Sequence, residues 1–98
     1  MAFQIIFTPE SRGHLKALAK REQTIILDAI ADQLTYQPTV ETRQRKHLDP
    51  NPVAPWELRS GDFRAFYDVE LKPSKVIIVV VGKKDHNRLI IGNEEVFL

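Results

Sequence analysis

Trp56-Glu57-Leu58-Arg59-Ser60-Gly61-Asp62-Phe63-Arg64-Ala65-Phe66-Tyr67-Asp68-Val69 reads as two strands joined by a tight turn at Ser60-Gly61-Asp62. Side chains alternate along a strand, so 63, 65, 67 and 69 share one face of the second strand and 64, 66 and 68 the other. The first face is apolar and is expected to meet the core. Arg64 then stands on the opposite face beside Phe66, fixed to a rigid sheet. A guanidinium held in that way suits a phosphate or carboxylate, because its planar fork matches two oxygens at once.

Working outward, Leu71-Lys72-Pro73-Ser74-Lys75 makes a second turn, and Val76-Ile77-Ile78-Val79-Val80-Val81 is a continuous β-branched run. Such a run marks a strand covered on both faces, hence a central one. Gly82 ends it, and Lys83-Lys84-Asp85-His86-Asn87-Arg88 emerges from its end. Leu89-Ile90-Ile91 reads as a short strand or a turn of helix, and Asn93 to Leu98 as a tail docked at a sheet edge. Toward the N-terminus, Phe3-Gln4-Ile5-Ile6-Phe7 reads as a first strand. Thr8-Pro9-Glu10 is a helix start: Thr8 can cap, Pro9 fits the first helical position, and Glu10 complements the positive helix end. Leu15, Leu18 and Ala19 give that helix an apolar side, although Gly13 weakens it. A second helix carries the stripe Ile26, Ala29, Ile30, Gln33 and Leu34, with Glu22 and Asp28 facing away, and ends at Tyr36-Gln37-Pro38. The two helices form a hairpin joined near Lys20-Arg21-Glu22-Gln23. Residues 38 to 55 are irregular, since Pro38, Pro50, Pro52 and Pro55 interrupt regular structure. The order strand, helix, helix, strand, strand, strand predicts an α+β protein. An N-terminal strand and a two-helix hairpin pack on a twisted, mainly antiparallel sheet of about four strands.

With 98 residues, 43% of them hydrophobic and 28% charged, residues 1 to 98 are expected to make one small globular domain. The absence of cysteine excludes disulfides, thiolate metal sites and a cysteine nucleophile. His14 and His47 have no partner at metal-ligand spacing, so no metal is expected; nor is any cofactor, since no Gly-rich phosphate loop is present. Residues 1 to 20 show no leader pattern, and the run Val76 to Val81 is too short to span a bilayer. A cytoplasmic protein with no membrane partner is expected. Formal net charge is only +1, from 14 basic and 13 acidic residues, but the basic residues cluster. Arg43, Arg45, Lys46 and His47 form one group; Lys83, Lys84, His86 and Arg88 form another. Clusters of this kind can bind phosphate even when the total charge is near zero.

The hairpin Trp56 to Val69 is similar to the "L-R-x-G-x-[FY]-R-x-x-Y-x-V" signature of the RelE/ParE superfamily of toxins from toxin–antitoxin pairs. Val79-Val80-Val81-Gly82-Lys83-Lys84 resembles the later "V-x-x-[IV]-G-[HK]-[KR]" segment of that superfamily. The resemblance covers nearly the whole chain and implies a RelE-like fold. It also implies a cognate antitoxin as partner and one of three activities. A RelE-like toxin cleaves messenger RNA in the ribosomal A site; a ParE-like toxin poisons DNA gyrase without cutting; an attenuated member only binds its antitoxin. In the first case the resemblance assigns Arg64 and Lys84 to the phosphate, and His86 or Glu57 to proton transfer. Arg45, Lys46, Arg59 and Lys83 would dock the RNA electrostatically. The chain departs from RelE where Glu57 reverses the charge of a lysine-bearing strand, and where Ile90 or a neighbour replaces a late tyrosine.

Overall fold

The computed structural model describes residues 2–96; Phe97 and Leu98, the end of the expected tail, lie outside the described residues. Strand β1 (Gln4–Phe7) leads into α1 (Pro9–Lys16) through Thr8, whose hydroxyl accepts the Ser11 N–H at 3.1 Å. The helix start is therefore the one expected: a threonine cap followed by proline, which has no N–H to leave unpaired. Helix α2 spans Lys20–Leu34. Its first turn is Lys20-Arg21-Glu22-Gln23, the segment expected to be the connector. The Glu22 carboxylate accepts the free N–H of Ala19 at 3.2 Å, and the Gln23 amide donates to Leu18 O at 2.9 Å. These two side chains satisfy backbone groups at the helix boundary and move the connection back to residues 17–19.

Among the described residues the sheet has seven strands, not about four. To β1 are added β2 (Arg45–His47), β3 (Trp56–Ser60), β4 (Phe63–Leu71), β5 (Ser74–Asp85), β6 (Arg88–Ile91) and β7 (Glu94–Val96). They run in the order β2-β3-β4-β5-β6-β7, antiparallel throughout, while β1 pairs in parallel with the first half of β5. The strands beyond the expected four are all short. β2 lies inside the proline-rich segment, where residues 45–47 are free of proline and can complete a ladder with β3. β6 and β7 make a hairpin that continues the sheet beyond the end of β1.

One face of the sheet packs on the helices. Ile26, Ile30 and Leu34 of α2 meet Leu58, Phe63, Ala65, Tyr67, Val76, Ile78 and Val81 in a single core. The Tyr67 hydroxyl donates to Pro38 O at 2.7 Å, which fastens the irregular segment to the core. Trp56 stacks on Tyr67 with ring centroids 6.1 Å apart, and His47 meets Trp56 edge-on at 4.9 Å. Trp56 thus anchors this segment.

The pairing of β4 with β5 is interrupted. Tyr67 faces Ile78 but Phe66 faces Val80, so Val79 has no partner across the ladder. One extra residue on one strand is a β-bulge, and it reverses the facing of everything beyond it. Val76 and Ile78 point to the helices; after the bulge it is Val81 that does so, and Gly82 lies opposite Arg64.

Candidate phosphate-binding site

The face away from the helices carries the residues of interest. Strand register sets Lys46 opposite Glu57, Glu57 opposite Phe66, Arg59 opposite Arg64, and Arg64 opposite Gly82. Lys84 lies two residues beyond Gly82, so it is the diagonal neighbour of Arg64, about 7–8 Å away at the backbone. Leu89 of β6 pairs with Lys84, and Val96 of β7 with Leu89. Glu57, Arg59, Arg64, Phe66, Lys84 and Leu89, together with Asn87 and Val96, line one open cavity of about 280 Å³. Phe66 is only 2% exposed although it points away from the main core. It gives the cavity an apolar wall beside its cations.

Charge in this cavity is unbalanced. The Arg59 Nε donates to Glu57 Oε1 at 2.7 Å, so these two side chains largely neutralise each other. Arg64 donates from Nη1 to two backbone oxygens, Gly61 O at 2.7 Å and Phe63 O at 2.8 Å. Neither Arg64 nor Lys84 has a carboxylate partner among the described residues. Two adjacent uncompensated cations on a rigid sheet have the charge to attract an oxyanion.

Three of the other expected residues, Arg45, Lys83 and His86, lie elsewhere or act differently. Arg45 is 7% exposed and faces the helices. Its guanidinium donates to Val40 O at 2.7 Å, to Gln33 O at 2.9 Å and to Gln33 Oε1 at 2.7 Å. Arg45 is a buried strut, not a surface cation, because its strand position alternates with that of Lys46. Lys83 is turned to the helix side by the same alternation. Its ammonium bonds Glu22 at 2.8 Å and lies 6.0 Å from the Phe63 ring centroid. That contact holds the Lys83 ammonium above its ordinary range and the Glu22 carboxyl below its own, the mutual hydrogen bond being the main cause in both. His86 occupies the two-residue turn between β5 and β6 with a φ of 58°, its side chain 91% exposed. Its Nδ1 is 2.8 Å from Asp85 Oδ1, and Arg88 approaches the same carboxylate at 3.3 Å. The His86 hydrogen bond, followed by Arg88, holds the Asp85 carboxyl below its ordinary range. His86 borders a second hollow of about 630 Å³, lined by Lys83, Glu22 and His14 and shared at its rim by Lys84. Glu57 and His86 therefore face different cavities and do not form a pair. Asn87, Leu89 and Val96 line the site without having been expected there. For Leu89 the clue was available, since a two-residue turn after Asp85 sets it opposite Lys84.

Among the described residues no group of three or more histidines and carboxylates is placed to hold a metal ion, and no helix is long and apolar enough to cross a membrane.

No family model matches the sequence, and no curated protein matches it significantly. The fold is similar to that of a chain in the RelBE2 toxin–antitoxin complex from Mycobacterium tuberculosis. The TM-score is 0.73 at 22% sequence identity, and the match covers 86% of this chain and 100% of that chain. The α+β architecture, with its helical hairpin on a mainly antiparallel sheet, is thus one found in a toxin–antitoxin complex.

Proposed function

We propose that the protein is the toxin of a toxin–antitoxin pair, and that it cleaves messenger RNA on the ribosome in the manner of RelE-like toxins. The observation that carries this reading is the shared cavity of Arg64 and Lys84, neither of them spent on a carboxylate. In such a cleavage the ribose 2′-oxygen gives up its proton and attacks the adjacent phosphorus, and the 5′-oxygen leaves and takes up a proton. Negative charge grows on the two non-bridging oxygens as five ligands crowd the phosphorus. Arg64 and Lys84 are the groups to oppose it. Glu57 is the cavity's candidate for taking the 2′ proton. Lys46 carries positive charge toward the sheet edge for a neighbouring phosphate, and Arg59 would add to it where an RNA phosphate displaces Glu57. The partner that silences the protein would be an antitoxin encoded beside it, whose segment orders as it covers this face.

A second reading has one observation in its favour. Glu57 is already engaged by Arg59 at 2.7 Å, and His86 lies on another cavity. A ParE-like gyrase inhibitor needs no proton-transfer groups, and this site offers few. Induction of the protein alone separates the readings. Loss of translation with cut messages supports the nuclease, a DNA-damage response with intact messages supports the gyrase inhibitor, and undisturbed growth removes both.

A further inference from the structure

We propose that the Gly61–Asp62 turn is the device that aims Arg64, and that Gly61 is a positioning residue for phosphate binding; the catalytic part of this rests on the nuclease reading above. A guanidinium has five N–H donors, two of them on each Nη. Nη1 of Arg64 donates to both Gly61 O at 2.7 Å and Phe63 O at 2.8 Å, which uses both of its hydrogens. Nε–H and Nη2 remain. Their parallel N–H bonds form the side-on fork that fits two oxygens of one phosphate. The anchors are neutral carbonyls, so the whole positive charge is left for the anion. Arg59, directly across the ladder, is the contrast: its Nε is taken by Glu57 at 2.7 Å, and its side-on fork is closed.

The turn is itself held in place. Ser60 pairs with Phe63, Gly61 has a φ of 58°, and the Lys84 N–H donates to Asp62 O at 2.7 Å. Three successive carbonyls are therefore shared between the two cations: 61 and 63 orient the side chain of Arg64, and 62 fixes the backbone of Lys84. A positive φ at the first central residue is the hairpin geometry that glycine adopts without strain. A Cβ at Gly61 would meet nothing within 4 Å, so a substitution there acts through backbone conformation alone. Gly61 does not line the Arg64 cavity.

The test compares Gly61→Val, whose branched side chain resists this φ, with Gly61→Asn, which tolerates it. On programmed ribosomes Gly61→Val is expected to lower kcat/KM on the order of a hundredfold, and Gly61→Asn to recover most of that loss. Equal impairment of the two variants overturns the proposal. A second measurement does not depend on cleavage. In ¹⁵N spectra of the arginine side chains, inorganic phosphate should shift the Arg64 Nε–H of the wild type and of Gly61→Asn, but not that of Gly61→Val. If that pattern holds while the wild type cuts no RNA, the positioning role stands and the nuclease reading falls. If phosphate leaves the wild-type Nε–H unmoved, the proposal fails.

Discussion

Replacing Arg45 separates a buried strut from a docking cation. In the structure its side chain makes three hydrogen bonds, to Val40 O, Gln33 O and Gln33 Oε1, at 2.7, 2.9 and 2.7 Å. Hydrogen bonds from a charged donor contribute about 1.5–3 kcal/mol each, and bonds that share one side chain contribute less than their sum. Arg45→Ala also leaves the two carbonyls without a donor in a closed site. Together these losses come to about 3–4 kcal/mol, a large share of the ~5–15 kcal/mol that stabilises a domain of this size. The melting temperature should fall by about 15–25 °C. Arg45→Lys keeps the charge but cannot reach three acceptors, and should cost roughly half as much. Trp56 is the chain's one tryptophan and stacks on Tyr67, so its fluorescence reports the loss during urea denaturation. The neighbourhood supports the assignment: burial pushes the Tyr67 phenol well up, and the positive charge of Arg45 partly opposes that. A variant with an unchanged urea midpoint but weakened RNA binding would refute the reasoning and return Arg45 to the surface.

Three other expectations follow from the same geometry. Arg64→Ala and Lys84→Ala should each weaken binding of single-stranded RNA and flatten its dependence on log salt by about 0.7, as read by fluorescence anisotropy; an unaltered slope takes that residue out of the phosphate site. Gly82→Ala should destabilise by about 1–3 kcal/mol in urea, because a Cβ there would lie 2.9 Å from Ile90 O and 3.0 Å from Ile91 Cγ1; a wild-type midpoint would contradict the close crossing of β5 and β6. The Lys83–Glu22 contact should make stability pH-dependent. Since folding lowers the Glu22 pKa from 4.5, the contribution is present above that value and disappears as pH falls through the folded one. Lys83→Met should therefore be less stable than wild type at neutral pH, and the two should converge in strong acid; a constant difference across that range would show that the ion pair is not responsible.

Much of this arrangement was legible in the residues, and the misses have definite causes. Thr8-Pro9-Glu10, the stripe Ile26, Ala29, Ile30 and Leu34, and the Ser60-Gly61-Asp62 turn each carry a local signal, and the structure has each where it was expected. The seven-stranded count was hidden because β2, β6 and β7 are only three or four residues long. Strands of that length are stabilised by a neighbour across the ladder, not by their own propensity. Arg45 and Lys46 read as one basic cluster because charge was counted along the chain. On a strand, adjacent residues face opposite ways, and one of the pair had to turn inward. The same correction applies to Lys83 and Lys84.

Which of those last two lysines reaches Arg64 depends on a single residue. In Val76-Ile77-Ile78-Val79-Val80-Val81 every position is apolar, so alternation carries no information about phase. Strict alternation from Ile78 would turn Val80, Gly82 and Lys84 toward the helices and set Lys83 beside Arg64. The unpaired Val79 reverses this. Two backbone groups at the bulge meet α1 and its cap: the Thr8 hydroxyl donates to Val79 O at 3.4 Å, and the Val81 N–H donates to His14 Nδ1 at 3.4 Å. That second bond needs an uncharged imidazole, and burial lowers the His14 pKa in the direction required, with Glu10 opposing it. The helical hairpin thus does more than cover a core. By holding the bulge it directs one lysine to Glu22, where it ties helix to sheet, and leaves the other without a carboxylate beside Arg64.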